Sequence, residues 1–117
     1  MNRPIIIASL LLLVASNGWT YNETDLAKLK ATGTCEGCDL SGAILSYLNL
    51  GGANLSGANL SGANLREASF SMLANLSGAD LRGADFTDAR LGQIDLDGAI
   101  YCKTKIRREE RNDHCEE

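Results

Sequence analysis

Residues Ala53 to Glu67 read ANLSGANLSGANLRE. An alanine, an asparagine and a leucine are followed by two small or polar residues, three times over. A period of five suits neither a helix nor a flat strand. At 100° per residue, an apolar position every fifth residue smears around a helix. On one continuous strand, odd steps put successive leucines on opposite faces. The period works only if the chain turns a corner once per phrase. Within a phrase, residues two apart share a face, so Ala and Leu both point inward. Glycine closes many phrases, at Gly42, Gly52, Gly57, Gly62, Gly78, Gly83 and Gly98, where a tight turn needs positive φ.

Working outward, the same phrase fills residues 38–101. Its bulky centres are Leu40, Leu45, Leu50, Leu55, Leu60, Leu65, Phe70, Leu76, Leu81, Phe86, Leu91, Leu96 and Tyr101, thirteen in all. The register slips by one residue between Phe70 and Leu76, beside Met72 and Leu73. Self-similarity at a fixed period marks a solenoid.

The run ANLSGANLSGANLRE resembles the pentapeptide-repeat family, whose motif is A(D/N)LXX, and the resemblance covers residues 38–101. It implies an all-β solenoid: a right-handed quadrilateral parallel β-helix with four phrases per coil, here just over three coils. Side chains then stack in columns. Leu40, Leu60, Leu81 and Tyr101 form one; Leu45, Leu65 and Phe86 the next; Leu50, Phe70 and Leu91 a third; Leu55, Leu76 and Leu96 the fourth. The columns survive the slip if the extra residue bulges outward near Met72–Leu73. Outward Asn and Asp, among them Asn54, Asn59, Asn75 and Asp80, are expected to form side-chain ladders between coils.

An open solenoid needs caps at its coil ends. Residues 19–37 read as an N-terminal cap with a short helix over ETDLAKLKAT at 23–32. Asn22 or Thr24 is its N-cap, Leu26 and Leu29 its apolar stripe, Gly33 its stop. The repeat occupies 38–102. Residues 103–117 read as a charged, solvated tail with Ile106 as its one clear apolar residue.

Residues 1–18 have the pattern of a cleavable secretory signal. Arg3 is a short positive region, Ile5 to Ala15 is apolar, and Ser16-Asn17-Gly18 supplies small residues before the cut. The stretch is too short for a comfortable membrane span. The expected location is the periplasm or another extracytoplasmic space, with no stable membrane insertion after cleavage. The whole chain carries 11 Lys and Arg against 15 Asp and Glu. Losing Arg3 leaves 10 against 15, a formal −5. That balance favours solubility and disfavours nucleic acid as a partner.

Four cysteines in a short exported chain suggest two disulfides. The shaft that the resemblance implies is about 15 Å long at one strand spacing per coil. It stands between Cys35 and Cys38 at one end and Cys102 and Cys115 at the other. A disulfide needs Cα atoms within about 7 Å, so the expected pairs are Cys35–Cys38 and Cys102–Cys115. Similar exported repeat proteins also open on a C-x-x-C-D-L phrase. A zinc site drawing on Cys35, Cys38, His114 and Cys115 fails on the same separation.

The functional expectation is a rigid interaction scaffold docking an unidentified protein. It is monomeric, without catalysis, metal or cofactor. Ile44, Tyr47 and Met72, apolar residues at outward positions, are the first surface to suspect, with their burial against the N-terminal helix or the bulge as the equal alternative. One alternative is a DNA-mimicking regulator of a type II topoisomerase, as in some family members. The repeat region's seven acids against three arginines fit that poorly. The other is a thiol-redox protein using Cys35 and Cys38, although a repeat follows them where a helix is wanted. Intact mass of the native protein, with alkylation in the absence of reductant, should show loss of residues 1–18 and no added alkyl groups.

Overall fold

The computed structural model describes residues 21–107 and 109–115. The expected signal segment at 1–18 lies outside the described residues. From Thr34 to Lys105 the chain is stitched to itself by single-residue parallel bridges. Thr34 pairs with Asn54, Asn54 with Asn75, and Asn75 with Asp95; Asp39 with Asn59, Asn59 with Asp80, and Asp80 with Ile100. Ile44, Asn64, Asp85 and Lys105 form a third series, and Asn49, Ser69 and Arg90 a fourth. These four series are the four faces of the shaft. Partners are twenty residues apart, or twenty-one where the pair spans the slip. A corner every five residues leaves room for one bridge per face per coil, not for an extended strand.

The second face shows the bonding. Asn59 N–H donates to Cys38 O at 2.8 Å, and Leu40 N–H donates to Asn59 O at 2.8 Å. Each outward residue thus offers its own N–H and C=O to the coil on its N-terminal side. Corners close with a turn bond such as Ala43 N–H to Leu40 O at 3.0 Å. Gly42, at φ 70°, supplies the positive φ that a type II turn demands. Tyr47, Glu67 and Asp88 take the same conformation without being glycine, and they stack at one corner.

Inside, Leu40, Leu45, Leu55, Leu60, Leu65, Phe70, Leu76 and Leu81 are fully buried, with Leu50, Phe86, Leu91 and Tyr101 nearly so. Phe70 and Phe86 meet across the interior with ring centroids 6.0 Å apart. The extra residue bulges outward, leaving Met72 and Leu73 68% and 72% exposed.

The outward Asn and Asp form no ladders among the described residues. Asn59 Oδ1 accepts from Ser61 N–H at 3.0 Å and Ser61 Oγ at 2.6 Å, and Asn54 and Asn75 do the same with Ser56 and Ser77. Asp39 and Asp85 bond Ser41 and Thr87 likewise. The short Asx side chain reaches its own backbone two residues on. It holds the corner within its own phrase; Asp85 alone of these also reaches a neighbouring coil, where its Oδ2 accepts from Arg66.

Three further differences concern the ends. Thr34-Cys35 already forms a rung, with Cys35 N–H donating to Asn54 O at 2.8 Å. Cys35 therefore sits at a Leu position, and the repeat begins one phrase earlier than the sequence suggested. At the other end, residues after Tyr101 are not simply a solvated tail. β1 (Thr104–Ile106) carries Lys105 onto Asp85 as a further rung. Thr104 fills an Ala position, fully buried, its Oγ1 donating to Leu81 O at 2.5 Å. Ile106 is 6% exposed at a Leu position. The chain then returns as β2 (Glu109–Arg111), antiparallel to β1. Leu96, expected in the core, is only partly buried. Its column ends there, because the chain reverses into β2 before a rung can cover it.

α1 (Glu23–Thr32) starts at Asn22, whose side chain accepts from Asp25 N–H, and stops at Gly33 in the left-handed conformation. Leu29 is buried and Leu26 partly so.

A buried Leu contributes about 1.5–3 kcal/mol through apolar burial, and a charge in its place lacks any partner. Leu60→Asp should abolish cooperative unfolding. Asn59→Asp keeps an oxygen for Ser61 and should shift Tm by no more than a few degrees; thermal melts by circular dichroism distinguish the two.

Candidate functional site

At the N-terminal coil edge, capping by the described residues is incomplete. Four outward residues, Thr34, Asp39, Ile44 and Asn49, have no coil on their N-terminal side. Thr34 N–H is taken by Thr32 Oγ1 at 3.1 Å. Asp39 N–H donates to Asp25 Oδ2 at 2.9 Å, and Asp39 O accepts from Asn22 N–H at 2.9 Å. The helix thus imitates the missing rung on two faces. On the other two, the main-chain N–H and C=O of Ile44 and Asn49 have no partner among the described residues. Twenty residues back from these positions stand Thr24 and Leu29, both inside α1. A helix bonds internally and offers no ladder.

Beside this open edge lies a cleft of about 490 Å³ between the C-terminal half of α1 and the first coil. Leu29, Leu48, Leu50 and Ala53 line it, with Lys30, Thr32 and Asn49 as polar groups. Gly51, on its rim, touches the bulge: a Cβ there would stand 3.5 Å from Met72 N.

Each suspected surface residue can now be placed. Ile44 is 64% exposed on the open third face, and Tyr47 75% exposed at the next corner. Glu67, one coil on, accepts a hydrogen bond from the Tyr47 hydroxyl and raises its pKa above the ordinary phenol value. Met72 is exposed beyond the cleft rim. The edge gathers Ile44 and Tyr47 around two unpaired rungs; Met72 stands one coil away. The sequence reading missed Leu73, the cleft and the open rungs. Subtracting one coil from 44 and 49 would have found the rungs, since it lands in the helix.

The shaft's acids are largely engaged. Arg82 bonds Asp80 at 2.6 Å and holds its carboxyl below the usual range. Burial pushes Asp85 up, but Thr87 and Arg66, the latter at 3.2 Å, outweigh it and the net shift is downward. Among the described residues no group of three His, Cys, Asp or Glu converges to hold a metal ion. No helix among them is long and apolar enough to cross a membrane.

Cys35 is bonded to Cys38, with Cα atoms 5.3 Å apart, and Cys102 to Cys115, 4.8 Å apart. Cys35 and Cys38 are 0% and 4% exposed. Their bridge joins an inward Leu position to the next inward Ala position. His114 sits against Tyr101, stacked at 6.0 Å, accepting from Tyr101 N–H at 3.0 Å through Nδ1.

The family model for pentapeptide repeats matches residues 35–71 and 74–100, in eight copies. The chain belongs to the pentapeptide-repeat family. Members are right-handed quadrilateral β-helices, typically non-catalytic scaffolds. The match breaks at the bulge, where Met72 and Leu73 stand outside the ladder. Similar solved pentapeptide-repeat structures include one from the cyanobacterium Cyanothece 51142, 35% identical over 64% of this chain and 54% of that one, TM-score 0.46. HetL from Nostoc, involved in heterocyst differentiation regulation, is 36% identical over 56% of this chain and 37% of its own, TM-score 0.47. One from the Arabidopsis thaliana thylakoid lumen is 35% identical over 65% and 60%, TM-score 0.39. This pentapeptide-repeat chain therefore spans about half of the first of these structures. No curated protein sequence matches it.

A carboxyl whose pKa is depressed by folding contributes stability that is present above its unfolded value, near 3.9, and lost as pH falls through the folded one. Asp80 and Asp85 are of this kind. Tm should stay level from neutral pH to about 5 and fall below about 4. Asp85→Asn should flatten that acid limb.

Proposed function

We propose that this chain is an exported, monomeric, non-catalytic scaffold that docks a partner protein on its N-terminal coil edge. Its shaft is just over three right-handed coils. The observation that carries the docking reading is the pair of adjacent rungs at Ile44 and Asn49, unpaired among the described residues, beside an apolar cleft. A partner segment that turns the same corner can complete one rung on each of the two faces. Main-chain bonds would supply affinity, and a side chain entering the Leu29–Leu48–Leu50 cleft would supply selectivity. The fixed shaft presents this edge without ordering cost. Export rests on the signal pattern at residues 1–18. The β1–β2 hairpin, lying over the C-terminal end, supports monomeric behaviour at that end.

The two alternatives are weaker on physical grounds. A DNA mimic needs free, regularly spaced negative charge, whereas Asp80 and Asp85 are bonded to arginines. Thiol chemistry at Cys35 and Cys38 needs an exposed thiolate, and both sulfurs belong to a buried bridge.

A photo-crosslinking residue at Tyr47, in cells exporting the protein, should give a discrete adduct that the same residue at Gln93 does not. The purified partner should then bind wild type, while Ile44→Asp weakens it at least about tenfold, a loss of about 1.4 kcal/mol. Equal crosslinking at both positions would remove the edge as the docking site.

A further inference from the structure

The two disulfides differ in what they hold and in how they are reached. Cys35 and Cys38 are part of the core. Cys102 and Cys115 are only half-buried. The segment tied down by Cys115 runs from Glu109 through β2 to the bridge. Among its described side chains none is a buried apolar residue. Polar contacts hold it: β2 against β1, Lys103 N–H to Asn112 Oδ1 at 2.6 Å, His114 N–H to Tyr101 O at 2.7 Å, and Tyr101 N–H to His114 Nδ1 at 3.0 Å. The Arg111 guanidinium lies 4.5 Å from the Tyr101 ring centroid, and Arg111 is bonded to Asp113. By contrast β1, with Thr104 and Ile106 buried, belongs to the shaft and has its own anchors.

We propose that Cys102–Cys115 is a redox latch. Its reduction by a dithiol releases the flap Glu109–Cys115 from the last coil, while Cys35–Cys38 stays closed. One thiolate of the dithiol attacks a sulfur of the bridge and expels the other as a thiolate. The second thiol of the reductant then resolves the mixed disulfide. Two cysteine thiols form, and the reductant leaves as its own disulfide, two electrons having moved. The accessible bridge meets the thiolate first, because attack needs an approach to sulfur that the buried pair denies. Release removes His114 from Tyr101. The Tyr101 N–H and aromatic ring are then uncovered, so a capped C-terminal end becomes an open one.

The test uses the native oxidised protein, graded dithiothreitol, alkylation and peptide mapping, with timed trypsin digestion alongside. Cys102 and Cys115 should be alkylated before Cys35 and Cys38. Cleavage after Arg111 should then quicken about tenfold or more, as expected when a loop-closing bond is lost. Reoxidation should restore slow cleavage. Amide exchange at His114 should rise with opening while that at Leu60 stays protected. The paired change Cys102→Ser and Cys115→Ser, in protein with native circular dichroism, should show fast cleavage without reductant. Simultaneous or reversed reduction of the two bridges would overturn the proposal. So would unchanged cleavage after Arg111 once Cys102–Cys115 is open.

Discussion

The structure depends on the backbone bonds that pass from each coil to the next. A chain that turns every five residues can hold no strand long enough to form a sheet by itself. Each phrase instead gives one outward residue whose N–H and C=O point back along the shaft and whose neighbours point forward. Coils stack at the spacing of strands, and the inward leucines and alanines meet in columns because that spacing is uniform. The ladder orders the core, and burial of the core then holds the ladder together.

This constraint explains the consensus phrase. Alanine is small enough to share the inner face with leucine. Asn or Asp bonds the backbone two residues later and fixes the corner, as Asn59 does with Ser61. Glycine follows because the turn needs positive φ. Three of the five exceptions stack at one corner, where Tyr47, Glu67 and Asp88 adopt that conformation with side chains attached; Lys103 and Arg107 are the other two. A left-handed conformation in a residue other than glycine costs on the order of 1 kcal/mol.

The same ladder makes the ends special. Every solenoid must satisfy or hide the groups its last rung exposes. At the C-terminal end, rung and hairpin come from one charged segment, and His114 takes the N–H that a further coil would have taken. At the N-terminal end, a ten-residue helix does the work and reaches only two faces. Among the described residues this leaves main-chain groups of Ile44 and Asn49 unpaired beside a cleft floored by Leu29, Leu48 and Leu50.

The sequence by itself determined the periodic part, the inward Ala and Leu and a corner in every phrase, and the helix from 23 to 32 with Gly33 as its stop; the four-sided winding, and with it the columns and the outward bulge at Met72–Leu73, came from the resemblance to the pentapeptide-repeat family. The periodic part was legible because it follows from a local rule repeated many times, and a repeat averages out its own exceptions. Tertiary structure decided what happens where the repeat stops. Thr104–Ile106 carries no Ala or Leu, yet it docks as a rung because a free coil edge lies beneath it and Thr104 can bond Leu81 O. Leu96 fits the phrase, yet it stays half-covered because nothing follows on its face. Among the described residues, the rungs at Ile44 and Asn49 stay open because the helix crosses two faces and misses two. Local pattern sets what a residue does within its phrase; whether it has a neighbour above or below is a property of the whole stack.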